Sequence, residues 1–187
     1  DLASMARRRT AGAVAAIALW AAPAVADSLY VRESGSDSNS GTSPAQAWAT
    51  IDHALDHAAP GDVVYVGAGT YAERVRPSSD GTPIDPIVVI ADTAGAQTGD
   101  AGAVTIRSGQ SPLEIQNDNH LTFRGFVIEC TSHGHSAVSN DASIGLVLEG
   151  CTILGGRDGV TLRNNADITL RDCTISGARD RGLELDG

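Results

Sequence analysis

Between Ile115 and Gly187 the chain repeats itself, and nothing else in the sequence limits its fold so strongly. IQNDNHLTF begins at Ile115, VSNDASIGL at Val138 and LRNNADITL at Leu162, so one nine-residue phrase returns after 23 and then 24 residues. Periods of roughly 20–50 residues mark stacked repeat architectures. Within each copy, short alternating runs flank a two-residue corner. Leu121 and Phe123 precede Arg124-Gly125, with Phe126 and Ile128 after it. Leu146 and Leu148 precede Glu149-Gly150, with Cys151 and Ile153 after it; Ile168 and Leu170 precede Arg171-Asp172, with Cys173 and Ile175 after it. A looser polar turn then leads to a third run, at Val138, Val160-x-Leu162 and Leu183-x-Leu185. Three short strands every 22–25 residues describe one coil of a three-sided parallel solenoid. An antiparallel sandwich gives no reason to repeat a phrase at that interval.

Stacking explains the residue types. Parallel neighbours lie about 4.8 Å apart, so equivalent positions touch in successive coils. Asn117, Asn140 and Asn164 are expected at one such turn position, because asparagine tolerates left-handed backbone. Cys151 and Cys173 take the inward slot of Phe126 and are expected to stack as free thiols. The next asparagine would fall at Gly187, so further coils or a C-terminal segment are expected beyond it.

Upstream, Met5 is followed by Arg7-Arg8-Arg9, an apolar run from Ala11 to Ala22 and Pro23-Ala24-Val25-Ala26. That order reads as a secretory signal over residues 1–26, with residues 1–4 as a non-native remnant before Met5. The apolar run is too short for a membrane anchor. The mature domain, residues 27–187, is then a secreted, acidic chain: its 10 arginines face 22 carboxylates, a net charge of −12, and it has no lysine. Nucleic acid and anionic membranes are excluded as partners, because both demand a basic face.

The mature chain opens with a strand at Tyr30-Val31 and a Gly/Ser/Asp/Asn loop from Gly35 to Pro44, which reads as a flexible linker. Trp48, Ile51, Leu55 and Ala58 then form one helical stripe, predicting a helix over 47–58 that ends at Pro60-Gly61-Asp62. A single helix before a run of strands suits a lid, since the first coil of a solenoid has an uncovered apolar end. Residues 27–62 are therefore the cap and 63–187 the coils, beginning with Val63–Val66, Ile84–Ile90 and Val104–Ile106.

Tyr30 to Val75 carries a strand, an SGSDSNSGT loop, a helix with Ala49-Thr50-Ile51, Pro60-Gly61-Asp62 and a Gly69-Thr70-Tyr71 turn. This opening resembles that of secreted right-handed parallel β-helix proteins of the pectate-lyase-like superfamily, particularly family-nine polysaccharide lyases and their uncharacterised relatives. The resemblance implies an all-β, right-handed parallel β-helix with an N-terminal capping α-helix. It also implies β-elimination on acidic polysaccharides, in which a cation such as calcium neutralises the uronate carboxylate and a lysine or arginine takes the neighbouring proton. No lysine can serve here, and the aspartate cluster that holds calcium in family-nine lyases has no matching position.

The candidate site is therefore the looser turn of each coil. His135, Asp158 and Asp180 align at intervals of 23 and 22 residues, and Arg157 aligns with Arg179. Asp158 and Asp180 are the candidate calcium ligands, Arg157 and Arg179 the candidate catalytic residues, and His135 and Arg181 the candidate substrate-binding residues. A solvated ladder of mutually offsetting Arg–Asp pairs is the alternative. The expected function is a secreted, calcium-assisted polysaccharide lyase acting on pectate-like uronate polymers. The competing reading is a non-catalytic glycan-binding or adhesive β-helix scaffold.

Overall fold

The computed structural model describes residues 26–186. The expected signal segment, Ala26 aside, lies outside the described residues. Three parallel sheets wrap into a coil. The first joins β1 (Ser28–Val31), β2 (Val63–Val66), β4 (Ile87–Ala91), β7 (Leu121–Arg124), β10 (Val147–Glu149) and β13 (Thr169–Arg171), in that spatial order. The second stacks β3 (Gly69–Tyr71), β5 (Val104–Ser108), β8 (Val127–Cys130), β11 (Thr152–Gly155) and β14 (Thr174–Ser176). The third stacks β6 (Leu113–Gln116), β9 (Val138–Asp141), β12 (Asp158–Arg163) and β15 (Arg181–Asp186). All these pairings are parallel, as the repeat required.

Period-two alternation sends one side chain of each pair inward. Val89, Phe123 and Leu148 stack in one inner column, and Ile106, Ile128 and Ile153 in another, all fully buried. Outward positions carry ion pairs between coils: Arg124 and Arg171 clasp Glu149 from either side at 3.0 and 2.8 Å. The corners are columns of left-handed backbone. Gly125, Gly150 and Asp172 form one such column, with φ of 78°, 61° and 53°. All three cysteines are free thiols, and burial pushes Cys151, beside Cys173, up to about 11.

The lid is shorter than its apolar stripe suggests. A 3-10 turn at Pro44–Gln46 precedes α1 (Ile51–His57). Trp48 is not helical, because its backbone pairs with the first strand: its N–H donates to Tyr30 at 2.9 Å and its carbonyl accepts from Arg32 at 2.9 Å. Nor is the Gly35–Pro44 loop a loose linker. Asp37 accepts from the Ala49 and Thr50 N–H groups at 2.8 and 3.0 Å, pinning the loop to the helix start. Thr50 caps the helix, and Glu73 takes the Ile51 and Asp52 N–H groups at 3.0 and 2.9 Å. Ile51, Ala54 and Leu55 are wholly buried against the first coil.

The expected asparagine ladder holds at its ends and fails in its middle. β6 and β9 set Ile115 opposite Asn140, and β12 sets Leu162 opposite Asn140. The middle phrase is thus two residues out of structural register with the other two. The left-handed column is Asn117, Ala142 and Asn164, at φ of 62°, 55° and 51°. Asn140 points inward instead, 1% exposed among aliphatics. A shift of two preserves facing, which is why the pattern of the sequence conceals it.

Candidate functional site

The outer face of the third sheet gathers polar groups in two rows. Its strands put Glu114, Ser139, Thr161 and Glu184 in one outward-facing row, in which Thr161 is only 1% exposed, and Gln116, Asp141, Arg163 and Asp186 in the next. At one margin of this face lie the looser turns.

There the structure separates the residues that spacing had aligned. Thr152 pairs with Thr174, an offset of 22, whereas Val160 pairs with Leu183, an offset of 23. The last turn is one residue longer than the one before it. Asp158 therefore stands opposite Arg181, and the Asp180 N–H donates to the Arg157 carbonyl at 2.8 Å. His135 likewise lies beside Arg157, whose N–H donates to the His135 carbonyl at 2.7 Å. Gly156, at φ 83°, makes this approach feasible, since a Cβ there would come within 2.9 Å of that carbonyl.

The two candidate calcium ligands consequently differ in setting. The Asp158 side chain is 2% exposed beneath Arg157, and that of Asp180 is 52% exposed beside Arg179. Among the described residues no group of three or more His, Cys, Asp or Glu side chains is gathered to hold a metal ion.

Arg157 and Asp158 do make a unit. The guanidinium Nε donates to Oδ2 at 2.8 Å, while Oδ1 is buried without a partner. The hydrogen bond and charge of Asp158 hold Arg157 above the ordinary arginine value. That suits Arg157 to recognising an anion and not to abstracting a proton. Arg179, half-paired with Asp180 at 3.8 Å, is the more exposed of the two candidate catalytic arginines.

Further along the row the network continues through residues that spacing did not single out. Ser136 and Thr161 share a hydroxyl–hydroxyl bond at 2.7 Å, and the Thr161 hydroxyl also reaches Glu184 at 3.4 Å. Arg181 bonds Glu184, and Arg157 and Arg163 approach the same carboxylate at 3.9 and 4.0 Å. At the other end of the row a cleft of about 170 Å³ is lined by Arg76, Pro77, Glu114, Gln116 and Asp118. Burial, with Asp80 nearby, pushes the Asp118 carboxyl up to about 6 even though the Gln116 N–H donates to it. The sequence did hold a signal for the row: Glu114, Thr161 and Glu184 each stand between two aliphatic residues of a third strand, and Ser139 stands between Val138 and Asn140.

Residues 88–187, more than half of the chain, match the family described as the right handed beta helix region. The chain belongs to this right-handed β-helix family. No curated protein matches the sequence significantly. Among solved structures, this β-helix is similar to the GH136 lacto-N-biosidase from Eubacterium ramulus, with a TM-score of 0.65 and 16% identity over 79% of this chain and 34% of that one. A rhamnogalacturonan lyase aligns with a TM-score of 0.46 and 15% identity, over 86% of this chain and 62% of that one. The chain thus spans about a third of the lacto-N-biosidase and less than two thirds of the lyase. At such identities the likeness is one of fold.

Proposed function

We propose that this β-helix is an exported carbohydrate-active protein that binds uronate-containing polysaccharide along the outer face of its third sheet. The observation that carries the reading is the outward row of Glu114, Ser139, Thr161 and Glu184, flanked by Arg157, Arg163 and Arg181. Hydroxyls and carboxylates suit sugar hydroxyls, and guanidinium groups suit uronate carboxylates through paired N–H donors. Rungs about 4.8 Å apart give an extended polymer a regular track. The coil architecture also carries a glycoside hydrolase in the lacto-N-biosidase, which supports carbohydrate as the ligand class.

The catalytic form of this reading is β-elimination, supported by the family-nine-like opening at Tyr30–Val75 and by arginines at the face. The non-catalytic form is favoured by one observation, the Arg157–Asp158 pair, which positions the guanidinium and keeps it protonated. Both are read in one experiment. The full chain is incubated with polygalacturonate, with added calcium or with chelator, following ultraviolet absorbance of unsaturated uronate ends, and the same polymer is cast into a native gel. Retardation without absorbance establishes binding alone, and retardation with absorbance establishes the lyase. No retardation and no product, with or without calcium, overturns the proposal.

A further inference from the structure

Resting on that reading of the face, the surroundings of Glu184 say what the face recognises. Its carboxylate is met from several sides: Arg181 bonds Oε1, the Arg157 and Arg163 Nη2 groups lie 3.9 and 4.0 Å from Oε2, and the Thr161 hydroxyl donates to Oε2 at 3.4 Å. Three arginines around one carboxylate are unusual in a chain with 13 basic residues against 23 acidic ones. The cradle is held from outside as well. Asp158 fixes Arg157 at 2.8 Å, and Asp186 stands 3.8 Å from Arg163. Arg157, Arg163 and Arg181 are thus balanced by Asp158, Asp186 and Glu184. Without Glu184 the cluster carries one uncompensated positive charge, with Arg157 still held by Asp158 and Arg163 still facing Asp186.

We propose that Arg157, Arg163, Arg181 and the Thr161 hydroxyl form a recognition site for a single sugar carboxylate, and that Glu184 occupies it as an internal stand-in which a uronate displaces. Two of its three ion pairs sit at the outer limit of contact, and the Arg157, Arg163 and Arg181 side chains are 42%, 42% and 60% exposed. The Glu184 side chain is 19% exposed and its two longer pairs are weak contacts, so a carboxylate delivered by a polymer held along the whole face can take its place. The exchange is a swap of ion pairs, with no bond made or broken.

The test uses Glu184→Gln in the full chain, which keeps side-chain shape and removes the competing charge. Calorimetry with trigalacturonate at low salt is compared with its methyl-esterified form. Glu184→Gln is expected to bind trigalacturonate about tenfold more tightly than wild type and the ester no more tightly. Adding Arg163→Gln is expected to cancel the gain. Glu184→Ser, which is expected to give the same gain, guards against an artefact of one substitution, and circular dichroism checks the coil. No tightening in either Glu184 variant, or equal tightening on the ester, overturns the stand-in. Failure here with polymer retardation intact removes the cradle and leaves the face reading standing. A gain here with no wild-type retardation does the reverse.

Discussion

Asn140→Leu should make the protein more stable, although it deletes a polar side chain from a polar strand. Asn140 is 1% exposed, and neither its Oδ1 nor its Nδ2 has a partner. Its neighbours above and below in the column are Ile115 and Leu162, 0% and 8% exposed. An amide buried without hydrogen bonds costs about 1–3 kcal/mol by mutational measure. Leucine has the same number of side-chain heavy atoms and the same branch point, so it leaves no void, and the extra bulk of its methyl groups sets a small repacking cost against the gain. Burying it contributes a further ~1.5 kcal/mol or more. The net expectation is about 2–4 kcal/mol, and at roughly 2–4 °C per kcal/mol for a chain of this size the rise in Tm is on the order of 10 °C. Differential scanning calorimetry of wild type, Asn140→Leu and Asn140→Asp decides it. The aspartate should lower Tm sharply, since it places an unpaired charge in the same hole. A leucine variant that melts at or below wild type would refute the reasoning, because it would mean that the amide is satisfied in solution, for instance by an internal water.

Ala142→Gly should raise stability by about 1 kcal/mol, because Ala142 holds a left-handed φ of 55° that penalises a Cβ; urea titration reads it, and a loss would show the corner to be unstrained. Asp118→Asn tests the half-buried carboxyl of the cleft. Folded Asp118 keeps its proton up to about 6, against an ordinary 3.8, so its stabilising contribution is present below ~3.8 and lost as pH rises through ~6. The amide variant should therefore melt above wild type near neutral pH and converge with it in acid, and a pH-independent difference would contradict the assignment. Asp92 has the opposite sign. Burial pushes it up, but bonds from the Thr98, Gln97 and Ala96 N–H groups and the Thr98 hydroxyl outweigh this and hold it below its ordinary value. Its contribution is present above the ordinary 3.8 and disappears as pH falls through the lowered value, so Asp92→Asn should cost about 1–3 kcal/mol at neutral pH, measured by denaturant melts, and little in strong acid.

How much of this was legible in the sequence depends on which periodicity carried the message. Inward columns obey period two within a strand and recur once per coil, so Phe123 and Leu148, or Ile128 and Ile153, could be stacked correctly from apolar residues alone. The corners were legible too, because Gly125 and Gly150 answer to backbone conformation. Turns obey neither constraint. The coil offset changes from 25 between Cys130 and Gly155 to 22 between Val138 and Val160, and from 22 to 23 across the last turn. Such insertions are absorbed in solvent at little energetic expense. Aligning letters through them placed Asp158 on Asp180 and Asn140 on Asn117, pairs that the strands separate.

That difference also decides where a site can form on such a coil. A ligand track needs side chains whose spacing is fixed by strand pairing, and the third sheet supplies it from Glu114 to Glu184. The turns contribute only the residues that the sheet margin captures. Arg157 is one, held by the buried Asp158; Arg179, one rung on, has a half-exposed partner and no comparable anchor. If the face binds a uronate polymer, Arg157→Gln should therefore weaken polygalacturonate retardation several-fold more than Arg179→Gln, although both remove one positive charge. Equal losses would mean that net charge alone holds the polymer and that the strand-borne geometry contributes nothing.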